Sequence, residues 1–256
     1  MDALADTRFR LTVHYDGSAF HGWQVQPDQR TVQGVLETAL SRLADGPKGI
    51  MGSGRTDAGV HSTGQVFSVD MAPRWDAPSL LKSLNALLPD DAWIESAAQA
   101  PPDFHPRYDA ARRTYRYEIG LRPEAASPFH KRWCWPLGEP LDLALLRQAA
   151  SAIPGERSFG AFAKAGQPER GERCHVYVVA WSETVLGTRL TITADRYLHH
   201  MVRYLTGTMV DIARGRRPLD DMARLLDNEP DMVTSPPAPA SGLFLHHVEY
   251  PEPEAS

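Results

Sequence analysis

The sequence predicts an α+β protein built from two halves of similar order. Apolar residues are spaced in helix and strand patterns, and turn residues separate these segments. Each half follows roughly the order β-α-β-β-α-β, the split β-α-β arrangement. Prolines cluster between Pro101 and Pro106, so we expect an N-terminal half over residues 1–103 and a C-terminal half over residues 104–256.

In the N-terminal half, residues alternate between polar and apolar over Arg8–Tyr15, which predicts a strand. Thr31 is the expected N-cap of a helix that runs to Leu43, because apolar residues recur on one side of that segment. The other predicted elements are a short strand over 49–51, a strand over 65–69, a helix over 78–88 and a strand over 92–97.

In the C-terminal half, the predicted strands cover 114–121, 175–183, 189–194 and 243–249. The predicted helices cover 141–153, 197–213 and 220–226. The proline-rich segment Ser235–Ala240 is predicted as an extended connector, because a strand follows it.

Composition places the chain among ordinary globular proteins. It has 256 residues, of which 42% are apolar and 23% charged. No segment approaches the roughly 18 apolar residues of a membrane span, and the acidic N-terminus lacks the pattern of a secretory signal. Its two cysteines cannot form a disulfide framework, so we expect a cytoplasmic location and no membrane association.

The net charge of −5 argues against a nucleic-acid partner, but a basic middle segment is compatible with one. The segment from His105 to Trp135 has seven basic and three acidic residues, a balance of +4. Aromatic residues interleave with these cations, a combination that suits phosphates and bases. The simpler alternative is a solvated strand face with Tyr115 and Tyr117 in a core.

The segment Gly52–His61 is the sharpest candidate for catalysis. Its glycines permit tight backbone paths and the close approach of a large substrate. Asp57 offers a carboxylate that can act as nucleophile or base, and Arg55 offers a cation that can hold a phosphate. The alternative is an ordinary turn over Asp57–Gly59, with Arg55 as its surface ion-pair partner.

Two further segments carry candidate residues. In the helix predicted from Tyr197, His199 and Arg203 would share one face, so Arg203 can reach a buried anion; a water-facing helix is the alternative. A zinc site from His199 and His200 is not expected, because neighbouring residues diverge by about 100° on a helix. On the strand that follows Arg113, Tyr115 and Tyr117 share one face and Arg116 takes the other, and a tyrosine in a cleft can stack on a base.

A series of motifs, taken together and in this order, resembles the bacterial tRNA pseudouridine synthase A (TruA) family over nearly the whole chain. The motifs are Tyr15–Gln24, Arg30–Gln33, Gly54–His61, Leu84–Pro89, Phe104–Arg107, Arg113–Tyr117, His199–Arg203 and Ala240–Leu243. Two departures stand out. Ser235–Pro239 replaces the usual Gly-Pro-Thr-Ala-Pro, which puts local packing or one RNA contact in doubt, and Pro106 replaces an alanine.

The resemblance implies two ferredoxin-like halves, with antiparallel sheets packed side by side around a central cleft. It implies a homodimer that uses no metal and no organic cofactor. The expected activity is isomerisation of uridine to pseudouridine at positions 38 to 40 of the tRNA anticodon arm.

The resemblance also assigns roles to single residues. Asp57 matches the catalytic aspartate, Tyr115 the tyrosine that contacts the substrate, Arg203 the arginine that pairs with the aspartate, and Arg55 the arginine on the substrate side. Two other functional classes stay open at this point. An RNA-binding module without catalysis would explain the cations and aromatic residues, and an acid-dependent hydrolase would use Asp57 with a histidine.

Overall fold

The computed structural model describes residues 5–44, 46–164 and 171–251. The chain divides into two compact units: the first comprises the described residues up to Ala111 and from Leu245 on, and the second runs from Arg112 to Phe244. Helices combine with mostly antiparallel strands, so the predicted α+β class is confirmed. None of the described helices is long and apolar enough to cross a membrane.

The first unit has the element order β-α-β-β-α-β, followed by the end of the last strand of the chain. Its elements are β1 (Thr7–Tyr15), α1 (Val32–Leu43), β2 (Met51–Gly52), β3 (His61–Met71), α2 (Ala77–Asn85) and β4 (Ala92–Gln99). Strand β1 pairs antiparallel with both β3 and β4. Strand β2 pairs antiparallel with the edge of β3 that lies opposite β1. The Ser62 hydroxyl donates to the Leu245 carbonyl at 2.9 Å, which ties the final strand to β3.

Local chemistry accounts for the predicted elements of this unit. Phe9, Leu11 and Val13 alternate along β1 and are fully buried, as the polar–apolar alternation predicts. The Thr31 hydroxyl accepts the Gly34 N–H and caps α1, so the predicted helix start is confirmed. Helix α2 ends at Asn85 rather than Leu88, and the Asn85 side chain bonds to both backbone groups of Ile94.

The second unit combines three helices with a mostly antiparallel sheet among its described residues. Its elements are β5 (Arg112–Gly120), β6 (Trp135–Pro136), α3 (Leu143–Ser151), β7 (Gly155–Ser158), β8 (Arg173–Glu183), β9 (Gly187–Ala194), α4 (Met201–Ala213), α5 (Asp221–Leu226) and the start of β10 (Leu243–Glu249). The strand order is β5-β9-β8-β7, and α3 packs against α4 and β8. The sequence did not predict β6 and β7, because such short strands show no periodicity.

The start of helix α4 corrects one prediction. The helix was expected from Tyr197 but begins at Met201, because His200 adopts a left-handed conformation with φ of 65°. His199 lies in the preceding turn, so the expectation that His199 and Arg203 share a helix face was wrong. The expected divergence of the two histidines was also wrong, since the ring centroids of His199 and His200 are 4.2 Å apart.

Candidate active site

The loop between β2 and β3, residues 53–60, carries Arg55 and Asp57 and is fixed to β3 by buried polar groups. The Ser53 N–H donates to the Val66 carbonyl at 2.8 Å. The Ser53 hydroxyl donates to the Gln65 side-chain oxygen at 2.6 Å, and the Gln65 amide donates to the Gly54 carbonyl at 2.7 Å. Ser53 and Gln65 are both almost completely buried, so these bonds are shielded from water and hold the start of the loop.

A second segment, residues 15–23, holds the same loop on both sides of Asp57. The hydroxyls of Tyr15 and Thr56 lie 2.8 Å apart in a buried hydrogen bond. The Trp23 N–H donates to the Thr56 carbonyl at 3.0 Å, and the Gly59 N–H donates to the Phe20 carbonyl at 3.2 Å. Asp57 therefore lies between two anchored neighbours, an arrangement that pre-positions a reactive carboxylate.

Two glycines let segment 15–23 approach the loop closely. Gly22 has φ of +88°, and a Cβ there would lie 2.7 Å from the Thr56 carbonyl oxygen. A Cβ on Gly17 would overlap the Val60 carbonyl. Sequence reasoning used this segment only as a motif and missed its supporting role; the signal was a pair of glycines beside aromatic residues.

Asp57 itself opens a tight turn. The Val60 N–H donates to the Asp57 carbonyl at 3.1 Å, and Gly59 has φ of +79°. The Asp57 side chain is partly buried, whereas Arg55 is exposed. Arg55 forms no ion pair with any described residue, so the turn of the alternative interpretation is present but the Arg55 ion pair is not.

Tyr115 belongs to the second unit, where β5 holds it on a buried face. Only 9% of Tyr115 is exposed, and its ring meets the Tyr197 ring edge-on at a centroid distance of 4.8 Å. The Tyr197 hydroxyl lies within hydrogen-bonding distance of the carbonyls of Arg113 and Ile192, and burial raises its pKa well above the ordinary value. Tyr117 shares the buried face and Arg116 takes the other, as predicted.

Arg203 lies in the first turn of α4 and is partly buried. Its Nε donates to the Ala238 carbonyl at 2.7 Å, and the Ala238 N–H donates to the Arg203 carbonyl at 2.9 Å. The predicted extended connector therefore docks on α4 through Arg203. This reciprocal pair fixes the stem of the guanidinium in one orientation.

The departure at Ser235–Pro239 is compatible with close packing. Ser235 is buried, its N–H donates to the Thr208 hydroxyl at 3.3 Å, and its own hydroxyl accepts from Arg217 at 3.4 Å. A Cβ on Gly207 would overlap the Pro236 carbonyl, so the connector lies directly on α4. Serine at this position thus makes specific contacts of its own.

Comparison with known proteins decides the family. A family model described as "tRNA pseudouridine synthase" matches residues 11–109 and 149–251, which contain Arg55, Asp57 and Arg203. The chain belongs to this family. Tyr115 lies between the two matched ranges.

Individual relatives extend the likeness over nearly the full chain. A tRNA pseudouridine synthase A of Limosilactobacillus fermentum is 36% identical over 254 residues, which cover 97% of this chain and 98% of that protein. A tRNA pseudouridine synthase A of Moorella thermoacetica is 38% identical over 243 residues, which cover 94% and 98%. The predicted family membership is therefore confirmed.

Proposed function

We propose that this chain isomerises uridine to pseudouridine in tRNA, with Asp57 as the catalytic carboxylate. The observation that carries the proposal is the fixed loop around Asp57, whose flanking residues are held by Tyr15, Phe20 and Trp23. The chain's membership of the tRNA pseudouridine synthase family supports the same assignment. A carboxylate in an ordinary surface turn needs no such double anchorage. The anchorage is what a reactive group requires for alignment with its substrate.

The reaction breaks the glycosidic N–C bond and rejoins the same base through carbon, without a redox step. The target uridine leaves its stack to reach the enzyme, at a cost of a few kcal/mol. Asp57 acts in its ionised form, either by adding to the sugar or base carbon or by removing a sugar proton to give a glycal. Pairing with Asp57 is the role that the family resemblance assigns to Arg203, and such pairing fixes the orientation of the carboxylate.

Arg55 and Tyr115 are proposed to bind the substrate. Arg55 is exposed and forms no ion pair with the described residues, so its guanidinium can hold the phosphate of the extruded nucleotide. The Tyr115 ring is fixed edge-on by Tyr197, which suits stacking on the base. After the base rejoins through carbon, a proton leaves that carbon. Tyr115 is proposed to assist in this step, for which an ordinary tyrosine is a weak base.

The remaining expectations follow from the family. We propose positions 38 to 40 of the anticodon arm as the target, a homodimer as the active species, and catalysis without a metal or organic cofactor. We also propose two ferredoxin-like halves around a central cleft, divided near residues 103 and 104. The β-α-β-β-α-β order of the first unit, with strands in the order β4-β1-β3-β2, supports the first of these halves.

One assay distinguishes the three functional classes. The protein is incubated with tRNA that carries tritium at C5 of its uridines, and both tritium release and RNA length are measured. Isomerisation releases tritium to water and leaves the RNA intact, whereas a hydrolase shortens the RNA or frees the base. Binding with neither change would support the module without catalysis. Replacing the uridines at positions 38 to 40 with cytidine should abolish the release.

A further inference from the structure

An exposed loop in the second unit, Ser127–Trp133, combines aromatic and basic side chains. All residues from Pro128 to Trp133 are exposed. Phe129 is 82% exposed and Trp133 is 40% exposed. Single exposed apolar residues are common on protein surfaces, so Phe129 alone carries no argument. The informative features are the basic residues beside Phe129 and the fixed backbone that presents it.

Backbone hydrogen bonds hold the 127–133 loop in a defined shape. The Ser127 carbonyl accepts N–H groups from His130 at 2.9 Å and from Lys131 at 2.8 Å, and the Trp133 N–H donates to the His130 carbonyl at 2.8 Å. Either side of the loop is anchored by a buried residue, Ala125 before it and Cys134 after it. Phe129 is therefore presented to solvent on ordered turns, and its ring takes no part in the core.

Charge on and beside the loop has one predominant sign. Positions 122–133 contain three basic residues, Arg122, Lys131 and Arg132, and one acidic residue, Glu124. Arg122 and Lys131 form no ion pair with any described residue. The Arg132 guanidinium lies 5.9 Å from the centre of the Trp133 ring, so a cation lies beside an aromatic ring on this loop.

We propose that the 127–133 loop is a second RNA-binding surface, on which Phe129 stacks on an unpaired base while Lys131 and Arg132 contact neighbouring phosphates. Exposed aromatic rings flanked by cations bind single-stranded RNA in this way. A second copy of the chain fits less well, because a two-fold interface through this loop would bring like charges together. The proposal rests on the tRNA substrate proposed above. It adds a contact within residues 110–148, which the family model does not match.

The test measures tRNA affinity as a function of salt for wild type, Phe129→Ala and the double variant Lys131→Ala/Arg132→Ala. Phe129→Ala should weaken binding about tenfold with little change in salt dependence. The double variant should reduce the slope of log affinity against log salt by roughly two, about one per lost phosphate contact. In both variants, kcat/KM for tRNA should fall in proportion to the loss of affinity.

Matched control variants remove an exposed apolar side chain and two exposed positive charges outside the 127–133 loop. Val233→Ala trims an apolar side chain that is 74% exposed, and Arg42→Ala/Lys82→Ala removes two exposed charges from helix ends of the first unit. Equal effects in variants and controls, or wild-type affinity in the loop variants, would overturn the proposal. Light scattering on Phe129→Ala supplies a further test: loss of a wild-type dimer would assign the loop to an interface between copies instead.

The isomerase assignment and the RNA-binding surface can be refuted independently of each other. If wild type releases no tritium from uridine yet the loop variants lose tRNA affinity, the isomerase assignment fails and the RNA-binding surface stands. If wild type is active and the loop variants bind tRNA as wild type does, the isomerase assignment stands and the RNA-binding surface fails.

Discussion

At the scale of single residues, the candidate catalytic group depends on neighbours that carry no charge. Thr56 is held by the Tyr15 hydroxyl, and Gly59 by a backbone bond to Phe20, so the residues on both sides of Asp57 are fixed. The exposed Arg55 is left without an ion-pair partner among the described residues. Segment 15–23 thus positions the loop, and Arg55 and Asp57 of the loop supply the charges.

Asp57→Asn tests the central assignment. The amide is nearly isosteric but is neither a nucleophile nor a base, so tritium release from tRNA should fall below detection while tRNA affinity changes less than about threefold. Asp28→Asn is the matched control, because Asp28 is exposed with φ of 56°, a conformation that asparagine adopts readily. Measurable turnover by Asp57→Asn would refute the catalytic role.

Arg203→Ala separates orientation of the carboxylate from substrate affinity. Removal of the guanidinium frees the Ala238 carbonyl and takes away the partner proposed to orient the Asp57 carboxylate, so kcat should fall by about a hundredfold or more. KM and tRNA affinity should change little. Arg216→Ala removes an exposed arginine just beyond the same helix and should leave kcat intact. An unchanged kcat for Arg203→Ala would exclude the positioning role.

Sequence reasoning located the charged residues of the site but not their supports. Asp57 and Arg55 lie two positions apart within a glycine-rich segment, so their chemistry is visible locally. The Tyr15–Thr56 bond joins residues 41 positions apart, and no local pattern encodes which tyrosine meets which hydroxyl. The same limit explains the error at His199, where one left-handed residue ended a helix pattern that apolar spacing had extended.

At the scale of elements, the candidate active-site loop, residues 53–60, lies between strand β3 and segment 15–23 and is bonded to both. Polar bonds from Gln65 hold one side of the loop, and bonds from segment 15–23 hold the other. The close approach of segment 15–23 requires glycine at positions 17 and 22. Stability and activity should therefore depend on the same contacts.

Tyr15→Phe measures the contribution of the buried hydroxyl pair. Loss of one partner leaves the Thr56 hydroxyl unpaired in a buried place, so the free energy of unfolding should fall by about 1–2 kcal/mol and kcat should fall with it. Urea denaturation and tritium release are the measurements, and a double-mutant cycle with Thr56→Val isolates the pair. Tyr250→Phe loses a comparable bond, to the Pro106 carbonyl, and should lower stability without lowering kcat.

Gly17→Ala tests the close approach of the two segments. A Cβ at this position overlaps the Val60 carbonyl, so the free energy of unfolding should fall by roughly 2 kcal/mol or more, with a loss of turnover. Gly49→Ala is the control, because nothing lies within 4 Å of its added Cβ. Equal stability of the two variants would show that segment 15–23 can shift without consequence.

At the scale of the whole molecule, the chain forms two compact units, and its last strand returns to the first. The Ser62–Leu245 bond joins residues 183 positions apart, so the first unit is complete only when the C-terminal strand has been added. Contacts of such separation slow folding, since loop closure precedes their formation. Truncation before Leu243 should consequently destabilise the first unit as well as shorten the second.

The homodimer proposed from the family is a prediction about the whole molecule. Sedimentation or light scattering at micromolar concentration should give twice the chain mass of 28.4 kDa. The mass should remain unchanged in Asp57→Asn, because that substitution alters chemistry rather than packing. A single-chain mass for a fully active preparation would remove the dimer from the proposal.

The sequence by itself determined the α+β class, most of the helices and strands, the family and the charged residues Arg55 and Asp57, because periodicity, turn residues and motif spacing are local properties of the chain. Only the tertiary structure decided that Tyr15, Gly17 and Gly22 position the loop of Asp57, that Arg203 anchors the Ala238 connector, and that the final strand returns to the first unit. These are contacts between distant residues, and burial and close approach select them only once the chain has folded.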